Sequence, residues 1–144
     1  MPEAPSTIKI AGADPGLQAT LIAAGLPIED LGEPGGEFLC IENEEALLGY
    51  GGFELYGADA LVRSIVVPPD ARGKGNGRNV TEAVLRAVSA AGGRRAFLLT
   101  TTAAEFFIHL GFAPVARSDA PPAILATRQA SSICSTAALL ARDI

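Results

Sequence analysis

Cysteine, histidine and tyrosine are scarce in this chain, and each scarcity closes off a class of chemistry. Two cysteines, Cys40 and Cys134, cannot build a disulfide framework. The single histidine, His109, and two distant thiols offer no ligand spacing, so no metal site is expected. Only Tyr50 and Tyr56 could supply a phenol. No apolar run reaches the roughly 18 residues of a membrane span, and the start "MPEAPSTIKI" does not read as a signal peptide. The expectation is a soluble, cytoplasmic protein with no membrane partner. Basic residues are also short: a net charge of −5 disfavours a nucleic-acid partner, which needs a basic surface.

What is present is a folding chain. Hydrophobic residues at 49% against 19% charged argue against disorder, and 144 residues without a repeat or a rich linker read as one domain, 1–144. "STIKIA" reads as a strand. "DPGLQATLIAAGL" reads as a helix with Asp14 as N-cap, Pro15 in the first position and Leu17, Leu21 and Ala24 on one face. "PIEDLGEPGGE" is a loop. "EFLCIE" and "ALLGYGGFELYG" flank a turn as a hairpin, with Cys40 expected as a buried, inert thiol. "DALVRSIVV" is a strand stopped by Pro68 and Pro69.

The clearest helix runs from Gly75 to Ala91, with Val80, Ala83, Val84, Ala87, Val88 and Ala91 at helical spacing and Gly92 and Gly93 closing it. "RAFLLT" is a buried strand, "AAEFFIHLG" a short helix with His109 facing solvent, and "FAPVA" a strand. "PPAILATRQ" is a helical turn and "TAALLARDI" a last strand. The order β-α-β-β-β-α-β-α-β-β describes a mixed α/β (α+β) sheet.

One loop carries the chemistry. In "ARGKGNG", Gly73, Gly75 and Gly77 alternate with Lys74 and Asn76 behind Arg72, between a strand and a helix. Glycines bring a ligand close to backbone N–H groups, and the helix start adds its dipole, which suits a pyrophosphate. It is not a P-loop, because Gly75 follows Gly73-Lys74 where Ser or Thr is required. Nor is it a dinucleotide fingerprint, because Val80 stands at the third glycine position.

Arg72-Gly73-Lys74-Gly75-Asn76-Gly77 resembles [Q/R]-x-x-G-x-[G/A], the acetyl-CoA pyrophosphate loop of the GNAT N-acetyltransferases. "RSIVVPPDARGKGNGRN" and "FLLTTTAAEFFIHLGF" resemble that family's strand-loop and strand-helix elements. The resemblance implies a GNAT fold, a splayed, mixed and mostly antiparallel sheet flanked by helices. It implies acetyl-CoA as cosubstrate, no metal, and a small-molecule amine as acceptor, with a homodimer as an open alternative. Ile65, Val66 and Val67 match the strand that pairs with the pantetheine arm; Arg72, Gly73, Lys74, Gly75, Asn76, Gly77 and Arg78 match the pyrophosphate cradle. "FELYGADALVRSIVV", "FLLTTTAAEFF" and "PPAILATRQASSICSTAALL" resemble the ArsN-type acetyltransferases of arsenic-resistance operons, a grouping whose members include enzymes that acetylate glutamate mimics.

The catalytic groups are less complete. Phe107 stands where family members often carry an acidic Tyr, and the strand with Arg63 and Ser64 has no carboxylate. Glu54 and Tyr56, which period-two alternation puts on one face, remain as base and as substrate-orienting group or acid, or else mark a solvent-facing strand edge. Arg63 in an apolar strand either binds an acceptor carboxylate or pairs with Glu54 or Asp59. Thr127, Gln129, Ser131, Ser132 and Cys134 fall where the family's acceptor loop varies. Two functions follow: an N-acetyltransferase of a small amine, or a CoA-binding sensor or interaction module with little catalysis.

Overall fold

The computed structural model describes residues 5–133 and 136–144. Seven strands form one sheet: β1 (Ser6–Ile10), β2 (Gly36–Glu42), β3 (Leu47–Tyr56), β4 (Asp59–Val66), β5 (Arg95–Thr100), β6 (Ala113–Pro114) and β7 (Ala138–Asp143), in the order β1-β2-β3-β4-β5-β7-β6. β1–β2, β2–β3, β5–β7 and β6–β7 pair antiparallel. β4 pairs with β5 in parallel, from Asp59↔Arg95 to Leu61↔Phe97. The helices are α1 (Pro15–Ala23), α2 (Asn76–Ala90), α3 (Ala104–His109) and α4 (Pro122–Leu125). The expected mixed, mostly antiparallel sheet flanked by helices is what forms.

The described chain divides into two compact units, one running through Glu54 and including Val62–Ala87, the other comprising Leu55–Leu61 and Val88–Ile144. In the first, Asp14 caps α1 by accepting the Leu17 N–H at 3.0 Å, and Pro15 occupies the first turn, where its missing donor costs nothing. Leu17 and Leu21 of α1 pack with Leu31, Phe38, Tyr50 and Val66. Each such burial stabilises by about 1.5–3 kcal/mol. In the second, Leu61, Phe97, Ala120, Ile124, Leu139 and Ala141 form a separate cluster, with Tyr56 packed against it. Among the described residues no helix is long and apolar enough to cross a membrane.

Several expectations shift. Cys40 is half-buried rather than buried: it pairs with Ile8 in β1 and Tyr50 in β3, and its side chain lies at the margin of the α1 cluster. Burial still raises its pKa, with Glu42 and Asp14 adding to the effect, so the thiol stays protonated and unreactive at neutral pH. β6 has two residues instead of the five of "FAPVA", and a 3₁₀ helix over Arg117–Asp119 follows it. "QASSI", read as loop, is a π-helix over Gln129–Ile133.

Candidate active site

The glycine loop belongs to the first unit. β4 ends at Val66, and a 3₁₀ turn over Pro69–Ala71 leads to Arg72. Gly73 and Gly75 take φ of +75° and +78°, in the left-handed region that glycine enters freely. A Cβ built on either would meet nothing within 4 Å, so the space above the loop is open. Two side chains pin the loop across its base. Arg72 Nε donates to Val67 O at 2.9 Å, and Asn76 Nδ2 to Ala71 O at 2.8 Å.

The first helical bond of α2 runs from the Asn79 N–H to Gly75 O at 3.2 Å. The N–H groups of Asn76, Gly77 and Arg78 therefore precede the helical ladder and lie at its positive end. Among the described residues, Arg72, Lys74 and Arg78 are not paired with any carboxylate, and all three are exposed. Open backbone donors, a helix start and three unpaired cations fit a polyanion.

Ile65, Val66 and Val67 lead into this loop. Between them and Arg63 stands Ser64, the one non-glycine residue with positive φ (+58°) among the described residues. Such a conformation costs about 1–3 kcal/mol, and here it shifts the strand's alternation. Period two would put Arg63 and Ile65 on one face. Instead the Arg63 guanidinium lies 5.4 Å from the Phe38 ring centre, and that ring covers Gly52. Ile65 lies on the opposite face, within 3.5 Å of a Cβ built on Gly51, where Val84 of α2 packs.

Arg63 is almost wholly buried, and it is answered by two carboxylates. Asp30 binds it bidentately, Nη1 to Oδ2 at 2.6 Å and Nη2 to Oδ1 at 2.5 Å; Glu54 Oε2 takes the same Nη1 at 3.0 Å. Nε reaches Ser64 Oγ at 3.3 Å. Burial alone would lower the Arg63 pKa, but the bonds and charge of Asp30, then of Glu54, outweigh it and raise it. Side-chain exposure is 3% for Arg63 and 4% for Asp30 but 14% for Glu54, so Glu54 is the member that reaches outward. Of the two partners the sequence suggested for Arg63, Glu54 is found; Asp30, from the "PIEDLGEPGGE" loop, is the one it missed.

In the second unit, Tyr56 is half-buried against the Leu61–Phe97 cluster. Phe107 packs edge-to-face with Phe106 at 5.1 Å and with Phe112 at 5.8 Å, and so serves as packing. His109 is exposed, as expected, with Nδ1 2.7 Å from Glu105 O. Thr127 accepts the Ala130 N–H at 3.2 Å and donates to Ile124 O at 2.7 Å, tying α4 to the π-helix. Gln129 is buried, Ser131 is exposed, and Ser132 lies within the π-helix. Arg117 donates to Ala130 O at 2.8 Å and to Ala137 O at 2.9 Å. Cys134 lies outside the described residues. No cluster of metal-ligating side chains occurs among the described residues.

Residues 34–114, more than half of the chain, match the family model described as an acetyltransferase (GNAT) domain. Among solved structures, N-acetylglutamate synthase from Neisseria gonorrhoeae, complexed with coenzyme A and N-acetyl-glutamate, is similar at 19% identity and a TM-score of 0.79. The match covers 99% of this chain but 36% of that one, so the chain spans about a third of that enzyme's length. Rv2747 from Mycobacterium tuberculosis, solved with CoA, matches at 15% identity and a TM-score of 0.72, over 97% of this chain and 99% of its own. An acetyltransferase of the GNAT family from Staphylococcus aureus Mu50 gives 15% identity and a TM-score of 0.72, over the same shares. No curated protein matches the sequence.

Proposed function

The chain belongs to the GNAT acetyltransferase family, and on that ground we propose that it moves the acetyl group of acetyl-CoA to the amino group of a small glutamate-like amino acid. The ArsN-type resemblance supports a role in arsenic resistance, exercised in the cytoplasm. The observation that carries the reading is the open glycine loop at the start of α2. The shared fold with an N-acetylglutamate synthase supports the acceptor class.

In this reading the backbone of Ile65, Val66 and Val67 receives the pantetheine arm, and Arg72 through Arg78 receive the pyrophosphate. Acetyl-CoA supplies the activated acyl group; the protein's own task is to hold the acceptor and take its proton. An ammonium has no lone pair, so a base must act before transfer. Glu54 is that base, the least buried member of the ion group. Arg63 recognises the acceptor carboxylate. Tyr56 orients the acceptor or protonates the leaving thiolate, and Ser132 and Cys134 line the acceptor on the strength of the ArsN-type resemblance.

Thermal unfolding with acetyl-CoA, free CoA, NAD and ATP tests the loop. Only a ligand that binds the folded state raises stability, by about 2.7 kcal/mol at one hundred times its Kd. A shift confined to the CoA compounds is expected, and its absence removes the reading. Thioester consumption with glutamate, phosphinothricin-like analogues and simple amines then tests the acceptor. CoA binding without turnover of any amine would make the chain a binding module instead. Full activity in Glu54→Gln would remove Glu54 as base.

A further inference from the structure

We propose that Gly49 and Gly51 of β3 are positioning residues for the cofactor: they set how closely α2 and the end of β4 approach β3, and with that the fit of the glycine loop around acetyl-CoA. The inference rests on the reading of that loop above, and it starts from two glycines that no turn requires. Both are buried inside β3, where a glycine has no side chain to pack and weakens the strand. Neither has a positive φ, so the backbone does not call for them. The space beside each one does.

A Cβ built on Gly49 would overlap Val66 O and stand 2.8 Å from Val80 Cγ2. One built on Gly51 would stand 2.5 Å from Val84 Cγ2. Alternation puts both glycines on one face of β3. Val80 and Val84, a turn apart on α2, meet them there, and both valines are fully buried. None of these neighbours can yield locally. Val66 O is backbone, and the branched Cβ of a helical valine holds its side chain in one rotamer. A methyl group at either position must therefore part the helix, the end of β4 or both from β3, by about 1 Å if ordinary carbon contacts are to be restored.

That displacement falls on the two elements assigned to the cofactor. Val66 belongs to the stretch that receives the pantetheine arm. Val80 lies one turn after Asn76, where the open N–H groups for the pyrophosphate begin. Gly49 is where the two halves meet, since one added carbon would collide with each. Neither glycine needs to touch acetyl-CoA to control how well it binds.

Acetyl-CoA binding is measured by calorimetry on the unmodified protein, Gly51→Ala, Gly51→Ala/Val84→Ala and Leu139→Ala, the last a core change in the other unit. Gly51→Ala should weaken binding about tenfold, short of the roughly hundredfold that a 1 Å misplacement can cost a reaction, because only part of the cofactor's contacts shift. The double variant, which makes room for the methyl from the helix side, should return to within about twofold of the unmodified protein. Leu139→Ala should lose stability but not affinity, which separates positioning from general loosening. Undiminished affinity in Gly51→Ala, no recovery in the double variant, or an equal loss in Leu139→Ala overturns the assignment. If Gly51→Ala does not fold, Val84→Leu enlarges the same contact from the helix side and is read against Leu139→Ala in the same way. Binding by the unmodified protein is scored first: its absence overturns the cofactor reading itself, whereas binding that ignores residue 51 overturns only this inference.

Discussion

Residues 72–78 and the Asp30–Arg63–Glu54 group belong to the same unit, yet the first is exposed backbone and the second is buried charge. The loop is specified by what it leaves out: side chains at Gly73 and Gly75, and carboxylates near its cations. The ion group is specified by what it completes, since a buried cation without partners would be untenable. The loop can therefore lose a ligand with little effect on folding, whereas the ion group ties recognition to stability. Changes in the two regions should separate along that line.

The largest expected effect is on the ion group. Arg63→Met leaves two facing carboxylates below the surface and should destabilise by about 3–5 kcal/mol, the cost of breaking a buried pair from one side. The check is a fall in the urea midpoint at constant m. A variant as stable as the parent would mean that the group contributes no more than a surface pair does.

Gly75→Val should do the reverse. The left-handed φ of +78° costs a β-branched residue about 1–2 kcal/mol of stability. The new side chain also stands in the open space over the loop, so acetyl-CoA affinity should fall at least about tenfold, or 1.4 kcal/mol. Calorimetry beside the unfolding curve would show whether binding suffers more than folding; retained affinity breaks the contrast. Lys74→Ala sharpens it further. Its effect on acetyl-CoA affinity should be modest and should fade as salt is raised towards 1 M, where screening acts within about 3 Å, while leaving the melting temperature unchanged.

The smallest effect concerns Cys40, a half-buried group with no countercharge. Its pKa is raised by desolvation first, then by Glu42 and Asp14. A raised folded-state pKa means that the unfolded chain releases its proton earlier. Stability is therefore full below the ordinary thiol value of about 8.5 and declines as pH climbs through the folded value. Cys40→Ala should flatten that alkaline decline, though Tyr50, whose pKa is also raised by burial, then Cys40 and Asp14, keeps part of it. An unchanged slope would mean that the thiol does not report burial.

The loop was legible in the sequence because everything that defines it is local: glycines, cations and a helix pattern within a few residues. The order of strands and helices was legible for the same reason, through periodicity and the stops at Pro68 and Gly92. The ion group was half legible. A lone Arg63 in an apolar strand announces that it needs a partner, and Glu54 lay within reach on the preceding strand. Asp30 did not stand out, since it sits in a Pro- and Gly-rich loop with no periodicity and meets Arg63 across 33 positions of chain. The π-helix at Gln129–Ile133 was illegible because its hydrogen bonding leaves no sequence period. The half-exposure of Cys40 was misread because an apolar run does not reveal where a sheet's cover thins.

Ser64 makes β4 a strand of two parities. Up to Arg63 its side chains are counted on one sense of odd and even; after Ser64 the count is inverted, so the guanidinium is delivered to the Phe38 side and Ile65 to the α2 side. Deleting one residue there would restore a single parity and could no longer serve both sides at once, however well each half paired. Glycine is the replacement best suited to Ser64, whereas a β-branched residue would resist the left-handed turn. The guanidinium and the residues leading into the glycine loop are thus held in register by one backbone angle.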